Sequence, residues 1–180
     1  MRIIGGQWKR TRLPVANRPG LRPTPDRVRE TLFNWLGQDL SGWRCVDVFG
    51  GSGALGFEAA SRGAADVLIC EQDAALVAML KTVRERLKAK SVRIEHADGL
   101  ATLRALPAAS RDLVLIDPPF DSALAAPALV AACTAMASDG RIYLESSLAW
   151  QLDRLAPLGL LPLRHLRAGS VHAHLLGRHA

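Results

Sequence analysis

The stretch Asp47-Val48-Phe49-Gly50-Gly51-Ser52-Gly53-Ala54-Leu55-Gly56 restricts this chain more than any other. The apolar run 45–49 reads as a short buried strand, and 55–61 reads as a helix. Between them Gly51, Gly53 and Gly56 have the spacing G-x-G-x-x-G. Glycines so placed let the backbone turn sharply, let a ligand approach the main chain and let the helix pack on the strand. The free N–H groups of the helix start then face that ligand. The pattern predicts a strand–loop–helix unit with a nucleotide-type ligand. Glycines also end strands in proteins that bind nothing, so the loop alone selects no reaction.

From Trp43 onward, apolar strands at 44–49, 67–71, 92–96, 113–117 and 141–145 alternate with helices at 55–62, 74–87, 100–106 and 123–137. Such alternation predicts a parallel, doubly wound α/β sheet. Arg62-Gly63 reads as a helix stop and Asp139-Gly140 as a turn. At the end, 160–166 and 170–176 are strand-like runs joined by Arg167-Ala168-Gly169, which predicts a hairpin and one antiparallel strand. A length of 180 residues suits one domain, 24–180, preceded by an arm, 1–23. Cys45, Cys70 and Cys133 are odd in number and scattered, so neither disulfides nor a metal framework is expected, and a reducing cytoplasm is. The start has no signal-peptide pattern, and the uncharged run 122–138 falls short of the ~20 apolar residues of a membrane span.

The net charge of +6 is unevenly distributed. Eight of the 23 basic residues but only two of the 17 acidic ones lie within residues 1–30, so the rest of the chain is neutral. A local basic arm carrying Lys9, Arg10, Arg12 and Arg22 suits a phosphate backbone, whereas a solvated tail is the plainer explanation. Trp8 within the arm either stacks on a base or pins the arm to the domain, and for a single Trp the second is favoured. A helix then begins at Thr24-Pro25. Thr24 suits the cap, Pro25 the first helical position, and Val28, Leu32, Phe33 and Leu36 form the core face.

In doubly wound sheets the chemistry lies beyond the carboxyl ends of the strands. Glu71 ends the second strand twenty residues after Gly51, the distance at which a carboxylate accepts hydrogen bonds from ribose hydroxyls. Asp98, after the third strand, suits a nucleobase amino group, and both acids equally suit helix caps. The fourth strand ends in Asp117-Pro118-Pro119-Phe120. An exocyclic amine of guanine or adenine is a poor nucleophile, because its lone pair is delocalised into the ring. Acceptors on its two N–H groups turn the lone pair out of plane and bear the growing positive charge. The Asp117 carboxylate and the Pro118 carbonyl can be those acceptors, and Phe120 can stack on a flipped base. A strand-ending turn with a hydrophobic plug is the alternative.

Asp117 to Phe120 resembles the (Asp/Asn)-Pro-Pro-(Phe/Tyr) motif of amino-group methyltransferases that use S-adenosylmethionine. More closely, the chain resembles the RsmD family, which methylates the 2-amino group of a guanine in 16S rRNA of the small ribosomal subunit. The likeness runs through 2–6, 21–24, 26–34, Gly51 to Gly56, 61–64 and 117–120. It implies a Rossmann-like class I methyltransferase fold with seven strands, one of them antiparallel. It also implies an S-adenosylmethionine site at Asp47, Phe49, Gly51, Ser52, Gly53, Glu71, Asp98 and Gly99, with catalysis at Asp117, Pro118 and Phe120. The implied partner is ribosomal RNA within an assembled small subunit, in the cytoplasm, with neither membrane nor metal. Departures are Gly50, where the family usually has alanine, Pro25 for a threonine, and the segment Ser170 to His174, where an aromatic is expected. His172 and His174 share a strand face without an evident third metal ligand.

Three rival readings remain. A nicotinamide dehydrogenase fits the glycine loop but not Asp117 to Phe120. A methyltransferase acting on adenine or cytosine amines of DNA or another RNA shares the motif, yet the chain has no room for a separate recognition domain. A non-catalytic RNA-binding module would leave Glu71 and Asp117 idle.

Overall fold

The computed structural model describes residues 1–15, 24–119 and 122–179. Phe120, Arg22 and most of the arm's proline-rich second half lie outside the described residues. Seven strands form one sheet: β1 Arg44–Asp47, β2 Asp66–Glu71, β3 Val92–His96, β4 Arg111–Ile116, β5 Met136–Ser146, β6 Leu160–Ala168 and β7 Val171–Arg178. Their order is β3-β2-β1-β4-β5-β7-β6. Strands β1 to β5 run parallel, and β7 is antiparallel to both β5 and β6. The expected hairpin turns at Gly169-Ser170, with Gly169 at φ +63°.

The helices are α1 Asp26–Trp35, α2 Ala54–Ser61, α3 Ala74–Leu87, α4 Gly99–Ala105, α5 Ala125–Ala135 and α6 Leu152–Leu155. Apolar residues cover both faces of the central strands, which is why those strands read as continuous hydrophobic runs. One core layer joins Leu32, Phe33, Phe57, Leu80 and Tyr143, and the other joins Leu103, Ile116, Leu129, Leu144 and Leu155.

Two local expectations are corrected. Helix α5 ends at Ala135 and β5 starts at Met136, so the turn expected at Asp139-Gly140 is an irregularity inside a strand. Met136 pairs with Arg111 and Arg141 with Leu113, and the surplus residues between are accommodated in a bulge. The second correction is Thr24. Pro25, not Thr24, occupies the cap position of α1, with no side-chain cap bond. The Thr24 hydroxyl instead reaches Asp117 across the fold.

All eight residues of α2 are buried. A helix buried on every side needs a second cover besides the sheet, and the first thirteen residues supply it. Arg2 and Arg12 pair in an antiparallel bridge, while Ile3 and Leu13 point into the core. Glu58 of α2 accepts the N–H groups of Ile4 and Gly5, both at 2.8 Å. Gln7 N–H bonds the Ser61 carbonyl, and Trp8 packs against the core. Gly6 sits at φ +71°, and a Cβ there would run into the Ser61 carbonyl.

The charge of the first thirty residues is thus partly spent inside the molecule. Arg29 is wholly buried, bonded to Asp26 and the Arg2 carbonyl, with its other guanidinium nitrogen 3.5 Å from Glu58. Arg2 pairs with Asp26 at 3.1 Å. Lys9, Arg10 and Arg12 remain exposed.

Candidate active site

Adjacent parallel strands bring their carboxyl ends to one edge, and the predicted residues collect there. Asp47 closes β1 and pairs in register with Ile69 and Leu115. Its Oδ2 accepts the Gly56 N–H at 3.0 Å, while Oδ1 is buried without a partner. Burial pushes this carboxyl up to about 7, against the pull of the Gly56 hydrogen bond. Gly53, at φ +76°, turns the chain into α2, and Phe49 lies against the second core layer. Ser52 is buried, with its hydroxyl 3.8 Å from the Met1 sulfur, so the arm begins beside the loop.

Glu71 ends β2 against this loop. Its Oε2 accepts the Gly51 N–H at 2.7 Å and its Oε1 the Asp73 N–H at 2.8 Å. Each carboxylate oxygen can accept again, so both remain usable by a diol. Asp98 is the cap of α4: one oxygen, Oδ1, accepts from Leu100 and Ala101 at 2.8 and 3.1 Å. Capping uses only that oxygen, and the residue is exposed. Gly99, buried, opens α4 behind it. A glycine turn, a helix N-terminus and a carboxylate on the loop, together with the partnerless Asp47 oxygen, fit an adenosine-type cofactor with an amino-acid tail.

Asp117 and Pro118 follow β4 and line a cleft with Pro119, Ser122, Glu145, Ser146 and Val171. Three members of this site are not marked as site residues by any sequence motif. Thr24 donates its hydroxyl to Asp117 Oδ2 at 3.0 Å from 93 residues away. Tyr143 donates its hydroxyl to Glu145 Oε1 at 2.6 Å. Glu145 itself is buried on β5. Burial and then the Glu145 charge hold the Asp117 carboxyl well above the usual range, opposed by the Thr24 hydrogen bond. Burial also raises Glu145. Two such carboxyls facing one cleft disfavour double ionisation. The one available signal was Glu145 at the end of its strand, the position that singled out Glu71 and Asp117.

The strand order, the glycine loop after β1 and the acids at successive strand ends define a class I methyltransferase fold. A model of the family described as "Conserved hypothetical protein 95" matches residues 1–176, and the chain belongs to that family, the RsmD family. It is 48% identical over 120 residues to "Ribosomal RNA small subunit methyltransferase D" of Escherichia coli K12, covering 67% of this chain and 60% of that protein. The match therefore spans less than two thirds of that relative's length. The Haemophilus influenzae protein of the same name is 44% identical over 138 residues, covering 74% of this chain and 70% of its own. Among solved structures, the "Putative methyltransferase yhhF from Escherichia coli" superposes with a TM-score of 0.84 at 39% identity, covering 100% of this chain and 98% of the other.

Proposed function

We propose that the chain transfers a methyl group from S-adenosylmethionine to the exocyclic 2-amino group of a guanine in 16S rRNA. The observation that carries this is the meeting of Asp117 and Pro118 with Glu145 in one cleft, on the sheet edge that also bears the glycine loop and Glu71. The bound cofactor supplies an electrophilic sulfonium methyl. Gly51, Ser52 and Gly53 would present the main chain to its tail, Glu71 would accept from its ribose hydroxyls, and Asp98 would hold its base amine. Phe49 and Gly99 are assigned to the same site. Asp117 and the Pro118 carbonyl accept the two N–H bonds of the guanine amine, so that its lone pair points at the methyl carbon. As the new N–C bond forms, the nitrogen becomes cationic and a proton must leave it. Asp117, whose proton affinity is raised, is the acceptor in reach of that nitrogen. Thr24 holds the Asp117 carboxyl in place, and Phe120 is assigned to stacking on the base.

The relatives named as small-subunit rRNA methyltransferases support the substrate class. Lys9, Arg10, Arg12 and Arg22 are assigned to RNA phosphates, and so short an arm favours the shape of an assembled small subunit over sequence. Among the described residues no helix is long and apolar enough to cross a membrane. A cytoplasmic setting follows from the ribosomal substrate. The test is the position of methyl groups on small-subunit rRNA incubated with the protein and S-adenosylmethionine. The wild type should add one N2-methylguanine. Asp117→Ala should add none while binding cofactor with unchanged affinity by calorimetry. Full turnover in the variant would remove Asp117 from the reaction, and a methyl on adenine or cytosine would overturn the guanine assignment.

A further inference from the structure

Across the β6–β7 hairpin, His165 lies directly opposite His174, and His172 is two residues before it on the same strand face. Strand alternation puts all three imidazoles on one side of the sheet. One ring nitrogen from each lies within 4.8 Å of the others. His165 Nε2 and His172 Nδ1 are 2.9 Å apart, with planes 2° from parallel and centroids 5.1 Å apart. Those values place the two rings edge to edge and nearly coplanar, sharing one proton. The third ring, His174, lies 4.7 Å from that of His165. It is buried, its Nε2 accepts the Trp150 N–H at 3.0 Å and its Nδ1 has no partner.

From this geometry we propose a binding site for one divalent transition-metal ion, of the zinc class, on His165, His172 and His174. It is independent of the methyl-transfer reading. Three imidazoles with an open fourth position are an established donor set for zinc, at Zn–N distances of about 2.0–2.1 Å. Tetrahedral coordination at that length separates the nitrogens by about 3.3 Å. The His165–His172 pair must therefore open by a few tenths of an ångström, and His174 must move in by no more than about 1.5 Å. Ring rotations supply both movements. Each neutral ring keeps its proton on the nitrogen that does not bind, so the ion replaces the proton shared between His165 and His172. His174 has two ways to bind. Coordination through Nε2 displaces the Trp150 N–H directly. Coordination through Nδ1 moves the ring proton to Nε2, which then no longer accepts. Either way Trp150 lets go, and its indole, bonded to Ser146 at 3.3 Å, changes surroundings.

The test uses the whole chain, stripped with a chelator and titrated with zinc chloride by calorimetry while tryptophan fluorescence is followed. One equivalent should bind. His165→Ala and His172→Ala, both outside the buried core, should each weaken it roughly tenfold or more. Trp150→Phe should keep the calorimetric binding and lose the fluorescence response. Cobalt(II) in place of zinc should give the intense visible absorption of a low-coordinate nitrogen site, a readout that needs no variant. Absence of one-equivalent binding, unchanged affinity in the double histidine variant, or a cobalt spectrum identical to that of the aqueous ion would each overturn the site.

Discussion

Asp47 shows how one residue's position sets a property that its type does not. As a free carboxyl it ionises near 3.8, but buried under the glycine loop it holds its proton up to about 7. The unfolded chain gives up that proton first. Between pH ~4 and ~7 the folded state therefore binds more protons, and stability falls as pH rises. Asp47→Asn keeps an acceptor for the Gly56 N–H and removes the ionisation. In denaturant titrations without cofactor, the variant should gain on the wild type between pH ~4 and ~7 and hold a constant lead above that. A constant difference between the two proteins would show that Asp47 does not titrate in this window. Thr24 makes the same point. Its type and place suit a helix cap, yet its hydroxyl serves Asp117, because α1 starts against the end of β4.

Among the elements, α2 depends most on a part of the chain far from it in sequence. Its one acidic residue, the buried Glu58, accepts two N–H groups of the arm and pairs with the buried Arg29 and Arg62. Glu58→Ala would leave two backbone N–H groups and the buried Arg62 Nε without their acceptor, and Arg29 and Arg62 without the carboxylate between them. Removing one partner of such a buried network costs about 3–5 kcal/mol, well above the value of a surface ion pair. Urea denaturation should show a loss of that size, with the arm becoming open to proteolysis first. A loss below about 1 kcal/mol would mean that the arm docks without help from Glu58.

At the scale of the whole molecule, the arm is part of the fold as well as a basic surface. Arg86 of α3 donates to the Arg12 carbonyl at 2.6 Å, so the arm meets the basic end of that helix. Lys9, Arg10 and Arg12 stay exposed beside it, whereas Arg29 is unavailable to any ligand. Changing Lys9, Arg10 and Arg12 together to alanine should weaken RNA binding and reduce its log–log salt slope by about 2–3. Cofactor affinity should not change, since the glycine loop and Glu71 are untouched. Filter binding at several salt concentrations gives the slope, and an unaltered slope would shift attention to Lys81, Arg84, Lys88 and Lys90 of the α3 region.

The alternation of apolar strands with helices, the glycine loop, and Glu71 and Asp117 at strand ends were all legible in the sequence. These are local signals: hydrophobic period, turn chemistry and short-range spacing are properties of neighbouring residues. The hairpin at Gly169-Ser170 was legible for the same reason. The sequence could not show that Thr24, Tyr143 and Glu145 surround Asp117, because strand order and register bring them together across as many as 93 residues. His172 and His174 were visible as a pair, but the third histidine is their neighbour only after β6 folds back on β7. Net charge likewise counted Arg29 toward the basic excess of residues 1–30, and only packing showed it buried against Glu58. Composition counts charges without regard to partners, and partners are chosen by the tertiary fold.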